Sequence, residues 1–234
     1  MPYYGIGFDI YYIILVLPAI VISLLASAKV KSTFGRYSKY RTLRGITGYM
    51  AARKILDDNG LANVQIMRVP GELTDYYDPK SRIVYLSDSV YDSDSVGAVG
   101  VAAHEAGHAV QYAQEYFPIK IRSAIIGVTN IGSALSMPMI ILGIILSIEP
   151  LILIGVILFS TVAVFQLVTL PVEFNASRRA IAVLEGSGML ESNELSGARK
   201  VLSAAAMTYV AALILSVAQI LRFVLVFLGG RRRK

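Results

Sequence analysis

The chain contains two histidines, and both stand in one short run, His104-Glu105-Ala106-Gly107-His108. Residues four apart lie on one face of a helix, so both imidazoles can reach a single metal ion. Glu105 sits one step round that helix. The offset puts its carboxylate beside the metal rather than on it, within reach of a bound water. Zinc brings the pKa of such a water toward about 7, and Glu105 is then placed as the general base that takes its proton as it attacks a carbonyl. The chain has no cysteine. That excludes disulfides, thiolate-ligated zinc and thiol catalysis and leaves nitrogen and oxygen as ligand atoms. The plain alternative is a pair of helix-face histidines satisfied by hydrogen bonds. A chain that spends both of its histidines on this spacing speaks against it.

A catalytic zinc site normally has three protein ligands and one open position. No third histidine exists, so the third ligand must be a carboxylate. The downstream choices are Glu115, Glu149, Glu173, Glu185, Glu191 and Glu194. Glu115 is predicted on the histidine helix, about two turns beyond His108 and too far to converge. Glu149 falls at the opposite membrane face if the apolar runs around it form a hairpin. Glu173 is favoured. It follows Pro171 at the start of a predicted amphipathic helix over 172–184, directly after an apolar run. Its ordinary reading is an interfacial carboxylate paired with Arg178 or Arg179.

The elements that must position these groups are largely apolar. Of the 234 residues 55% are hydrophobic and 16% charged, against about 25% charged in a soluble domain. The mean hydropathy is +0.60. Four apolar runs stand out: Ile10 to Ala28, Ala124 to Ile148, Leu151 to Leu170, and Ser203 to Leu228, the last interrupted by Arg222. Each is long enough to cross a hydrocarbon core, which takes about 20 residues. The first run has no basic residue ahead of it and many behind. That order suits a retained anchor with its N-terminus outside rather than a signal peptide. Runs two and three read as a hairpin, so the chain leaves the cytoplasmic side after Arg122 and returns near Leu170. His104, His108 and Glu173 are thereby expected on one side. The net charge of +6 follows the same topology. Of 22 Lys and Arg, 13 lie between Lys29 and Arg122 and four form the tail Arg231 to Lys234. Basic clusters flanking apolar runs are what the positive-inside rule produces. No basic and aromatic stripe of the nucleic-acid-binding kind is present. Arg222 is expected to snorkel toward the C-terminal interface, and the tail ends outside if the fourth run crosses fully.

Between the runs, 29–122 is the main polar segment. A helix is predicted over 42–59, strands over 64–69 and 82–86, and turns at Pro70-Gly71 and Tyr77-Asp78-Pro79. The strand 82–86 is either an edge for an extended substrate or an ordinary packed strand. A second helix is predicted from Val96 to about Tyr116, with Ser93, Asp94 and Ser95 as N-cap oxygens. It is rich in Gly and Ala, which favours a buried central position over a surface one. Tyr76, Tyr77, Arg178 and Arg179 are candidate oxyanion donors by type. The organisation expected is a transmembrane helix at 1–28, a cytosolic metalloprotease segment at 29–122, a helical hairpin at 123–170, a glutamate-ligand helix and following segment at 171–202, and a C-terminal transmembrane helix with basic tail at 203–234.

Three blocks carry a family resemblance. The run Ser-Val-Gly-Ala-Val-Gly-Val-Ala-Ala-His-Glu-Ala-Gly-His-Ala-Val-Gln, Ser95 to Gln111, resembles the signature of membrane-bound neutral zinc metallopeptidases of the YugP type. Leu73-Thr74-Asp75-Tyr76-Tyr77-Asp78-Pro79 and Leu170-Pro171-Val172-Glu173-Phe174-Asn175-Ala176-Ser177-Arg178-Arg179-Ala180 are similar to its flanking blocks. A more distant likeness is to the HtpX-like and CAAX prenyl protease group. The resemblance implies a zinc endopeptidase with one Zn2+ per chain on His104, His108 and Glu173, and Glu105 catalytic. It departs at three places. A histidine is usual in the family where Tyr76 stands and an aspartate where Asn175 stands. In the wider group an aspartate occupies the place of Ser177. Such an acidic partner would hold a ligating imidazole. The expected fold is mainly α, a multi-helix integral membrane protein of about four transmembrane or membrane-associated helices with a zincin-like cytosolic α+β portion. The expected partners are polypeptides in or near the membrane and the lipid bilayer, with no nucleic acid. The expected location is the cell membrane, multi-pass, with the active site on the cytoplasmic side. The alternative is a catalytically inactive scaffold or adaptor that retains the site. A transporter would place charges within the runs, and runs two and three have none.

Overall fold

A computed structural model describes residues 9–229; the basic tail lies outside the described residues. The chain is mainly helical, with one small sheet. It divides into two bodies, one formed by 9–26, Ile121–Leu170 and 208–229, the other by Ser27–Lys120 and Pro171–Met207. Four helices are long and apolar enough to cross a membrane: Tyr12–Tyr37, Phe117–Ile145, Glu149–Gly186 and Ser192–Phe227.

In the first body, a π-helical turn Tyr12–Val16 leads into α1, Leu17–Tyr37. The hairpin is made by the helices that follow the histidine helix, α4 (Phe117–Ile145) and α5 (Glu149–Gly186). Their backbones meet closely at glycine. A Cβ on Gly143 would lie 2.8 Å from the Ile152 nitrogen, and one on Gly155 2.8 Å from the Ser136 carbonyl oxygen. Small residues at such contacts let apolar helices pack without a hydrophobic driving force. Many outward side chains are bare hydrocarbon, with Leu24 and Leu25 each 65% exposed. The last helix, α6, runs Ser192–Gly229. Arg222 does not extend alone toward the helix end. Its Nε and terminal nitrogen donate to Asp9 Oδ2 at 2.9 and 2.7 Å, and its guanidinium lies 5.1 Å from the Tyr12 ring. Pairing at close range costs less than holding a lone charge out of water.

The second body carries the sheet and the buried helix. Helix α2 is Gly48–Asp58, six residues shorter at its start than the sequence predicts. Gly45 turns the chain at φ +63, and Thr47 then caps the helix by accepting from the Met50 N–H. The strands are β1 (Gln65–Val69), β2 (Tyr76–Asp78) and β3 (Ile83–Ser87), in the order β1-β3-β2. Strand β3 runs parallel to β1 and antiparallel to β2, with Tyr76 opposite Tyr85. One expectation is corrected here and one alternative decided. Tyr77-Asp78 is strand, and the turn follows it, where the Asp78 carboxylate accepts from Lys80 and Ser81. The segment 82–86 is central rather than an edge, because both of its sides are paired.

Helix α3, Val96–Ala113, is capped by Ser95 and buried along most of its length, as its small residues predict. It ends before Glu115, which lies in a turn at φ +53 and pairs with Lys120. Glu115 is therefore not on the histidine helix. Helix α5 is likewise continuous through Pro171. The proline ring removes a bond to the Leu167 carbonyl without starting a new helix at Val172. Ala98, Val99, Ala102 and Ala106 of α3 pack with Leu56, Val84, Leu86, Leu184 and Val201 in one core.

Candidate metal centre

Helices α3 and α5 approach nearly to backbone contact. A Cβ placed on Gly107 would lie 3.2 Å from the Ala176 carbonyl oxygen. This contact, between the two histidines in sequence on one side and three residues beyond Glu173 on the other, brings the ligand candidates together. Glu173 Oε2 lies 3.2 Å from His104 Nε2 and 3.5 Å from His108 Nε2. One ligand atom from each of the three falls within 4.8 Å of the others. Tetrahedral zinc with bonds of about 2.0–2.1 Å has ligand atoms roughly 3.3 Å apart, so the donor set and its spacing fit zinc. Glu173 is 2% exposed. Its partners are imidazoles, not the arginines that the ordinary reading required.

Each imidazole is held from behind. Gln111, fully buried, donates from Nε2 to the Val172 carbonyl and to Asn175 Oδ1, both at 2.9 Å. A carbonyl can only accept, so the Gln111 amide nitrogen must face it. The Gln111 oxygen then faces His108 Nδ1 at 2.9 Å, and Nδ1 must carry the proton. His108 Nε2 is left as a lone pair aimed at the cluster. Ser177 Oγ lies 3.1 Å from His104 Nδ1; a hydroxyl both donates and accepts, so this contact orients the ring without fixing its tautomer. Asn175, where an aspartate is usual, acts through Gln111 and also accepts from Arg179 Nε at 2.7 Å. An acceptor is what both neighbours need, and the asparagine oxygen supplies one. Gln111 is the residue that the sequence reading passed over. Its signal was present: a long polar side chain three residues after His108 on a helix otherwise built of small apolar residues.

Burial works against the charged form of His108, but the Glu173 carboxylate outweighs it and holds the imidazole above its ordinary range. Glu105 is half-buried on α3 and forms no hydrogen bond or ion pair among the described residues. Its carboxylate is free to accept a proton. Asp75 lies within its electrostatic reach. Burial pushes the Asp75 carboxyl up and the charge of Glu105 adds to this, against the Ser87 N–H and hydroxyl that donate to it.

The remaining candidates are elsewhere. Glu191 pairs with Arg44 at 3.1 Å, and Glu194 accepts from the Leu43 and Glu191 N–H groups. Glu149 opens α5 in the first body, and Glu185 lines a groove between α5 and α6. Of the oxyanion candidates, Tyr76 stacks on Tyr85 and Tyr77 packs on Tyr112. Arg179 is engaged by Asn175 and Gln114, and Arg178 lines the same groove as Glu185.

Residues 12–228 match the protein family described as "Putative neutral zinc metallopeptidase". The "Putative membrane protease YugP" of Bacillus subtilis (strain 168) is 47% identical over 220 residues, which cover 94% of this chain and 98% of that protein. No solved structure matches the chain.

Proposed function

The chain belongs to the neutral zinc metallopeptidase family, and from that premise we propose that it is a membrane-embedded zinc endopeptidase. The observation that carries the reading is the convergence of two imidazoles and one carboxylate beside the uncommitted carboxylate of Glu105. His104, His108 and Glu173 would hold the ion. When bound, zinc supplies Lewis acidity, which lowers the pKa of water and polarises a carbonyl. Gln111 and Ser177 hold the imidazoles with Nε2 of each toward the Glu173 carboxylate, where the ion would sit. Glu105 takes the proton released as water adds to the scissile carbonyl, and returns it to the departing amide nitrogen. The peptide C–N bond breaks and the carboxylate and amine products part. On this reading the protein is a multi-pass component of the cell membrane with the site on the cytoplasmic side, which the basic residues of 29–122 support. Its substrates are polypeptides in or next to that membrane, and it takes one zinc per chain.

The test is metal content and cleavage in one preparation. The purified full chain in detergent should carry zinc near one per chain and cut an unfolded protein. A strong chelator should abolish cleavage, and added zinc should restore it. Undiminished cleavage by protein stripped of metal would overturn the reading. The scaffold reading, which Asn175 and Ser177 favour by replacing acidic partners, expects zinc uptake with no cleavage at all.

Two further outcomes follow from the geometry. Gln111→Leu removes the acceptor behind His108, and outer partners of this kind are worth about 10- to 100-fold in metal affinity. A competition titration against a chromophoric chelator should show that loss, with much of it recovered in Gln111→Glu. The pH dependence has a fixed sign. Zinc must displace the His108 proton, and Glu173 raises that proton's pKa in the metal-free state. Apparent affinity should therefore rise with pH, and on acidification should begin to fall at a pH above about 6.5, the ordinary imidazole value. Titrations repeated between pH 6 and 8 measure it.

A further inference from the structure

Between α5 and α6 of the second body lies a groove of about 490 Å³, within the size range that encloses small ligands or a few side chains. It neighbours the metal centre. Ser177, which holds His104, lines it, and so does Phe174, the neighbour of Glu173. Its walls are apolar, from Phe174, Ile181, Leu202 and Met207. Phe174 and Met207 remain 40% and 52% exposed, so both are accessible to a bound group.

The charged groups of the groove are Arg178, Arg199 and Glu185. None of them forms a hydrogen bond or ion pair among the described residues. Arg179, the next residue, differs: it is committed to Asn175 and Gln114. Glu185 is seven residues from Arg178, about 10 Å along the helix, too far to neutralise it. An apolar groove with two guanidinium groups and one carboxylate is complementary to an apolar group bearing a negative charge.

We propose that this groove is a substrate subsite that takes a bulky apolar side chain with an acidic residue next to it, the acidic group meeting Arg178. The inference rests on the peptidase reading of the metal centre. A peptide held with its scissile bond at that centre presents its neighbouring side chains to the groove that Ser177 lines. The apolar side chain gains by leaving water. The carboxylate gains a planar, two-pronged donor that no group of the described residues occupies. A basic residue in the same place meets like charge instead.

The test uses the full chain in detergent, stripped of zinc so that nothing is cleaved, and two dye-labelled peptides that differ only in Phe-Glu against Phe-Lys. Fluorescence anisotropy should show the glutamate peptide binding about three- to ten-fold more tightly. Arg178→Glu should invert that preference. Met207→Ala, at an exposed position, should weaken both peptides by about three-fold or more. Equal affinity for the two peptides, or an unchanged preference in Arg178→Glu, overturns the proposal. Displacement of both peptides by added phosphatidylglycerol would make a lipid headgroup the occupant and overturn it too. Zinc uptake is measured on the same preparation. Lost uptake with the peptide preference intact refutes the metal reading alone; intact uptake without preference refutes the groove alone.

Discussion

Glu105→Gln is expected to lower the turnover of the zinc-loaded enzyme by two to four orders of magnitude, the span that a positioned general base contributes. The amide has nearly the size of the carboxylate but cannot accept the proton of an attacking water. No hydrogen bond or ion pair among the described residues depends on that charge; it acts on Asp75 and His108 only through space. Zinc content, thermal stability and KM should stay close to those of the unaltered chain. This pattern, kcat lost with binding kept, marks a group that acts in the transition state. Steady-state cleavage of a quenched peptide, read beside zinc content, checks it. Full zinc with unaltered kcat would remove Glu105 from the mechanism.

The second large effect is at Glu173. Its carboxylate lies 3.2 and 3.5 Å from the two imidazoles, and no other carboxylate of the described residues joins them in such a group. Glu173→Ala should reduce zinc affinity by more than about 100-fold, beyond what changes in outer partners cost. The stabilisation that bound zinc gives, which grows with the ratio of free metal to Kd, should shrink with it. Denaturation curves with and without zinc, for both chains, measure the loss. Wild-type affinity in Glu173→Ala would place the third ligand elsewhere. The variant has a second signature in the metal-free protein. Without Glu173 to hold it up, burial governs His108 and its titration moves down, a shift that NMR of the imidazole protons resolves.

Some of this was legible in the chain because it is written at short range. The spacing of His104 and His108 is a helix-period statement, and each apolar run carries its own length. The buried position of α3 followed from its glycines and alanines, and Glu173 from its place just after the hairpin. What escaped depends on contacts between distant segments. Nothing local in Arg82 to Leu86 tells whether β2 pairs with it, so the sequence leaves edge and packed strand open, and pairing on both sides decides. Tyr77-Asp78-Pro79 has turn composition, yet pairing with Val84 and Ile83 draws its first two residues into the sheet. Pro171 read as a helix start because proline usually ends or opens helices, whereas here the helix runs through it unbroken. Asp9 and Arg222 are 213 positions apart, and neither announces the other. Gln111 lies between these cases. Its distance from His108 is local, but its orientation is set by the Val172 carbonyl, 61 residues away.

The glycine between the two histidines has a metrological consequence. A single hydrogen atom at Gly107 separates α3 from the Ala176 carbonyl of α5, and the imidazoles and the carboxylate ride on opposite sides of that gap. The helix spacing therefore acts as a gauge for the ion. A methyl group there must push its neighbour back by a few tenths of an ångström, and the ligand triangle widens with it. Position 107 thus sets how closely the two halves of the ligand set approach, without any atom of that residue belonging to it.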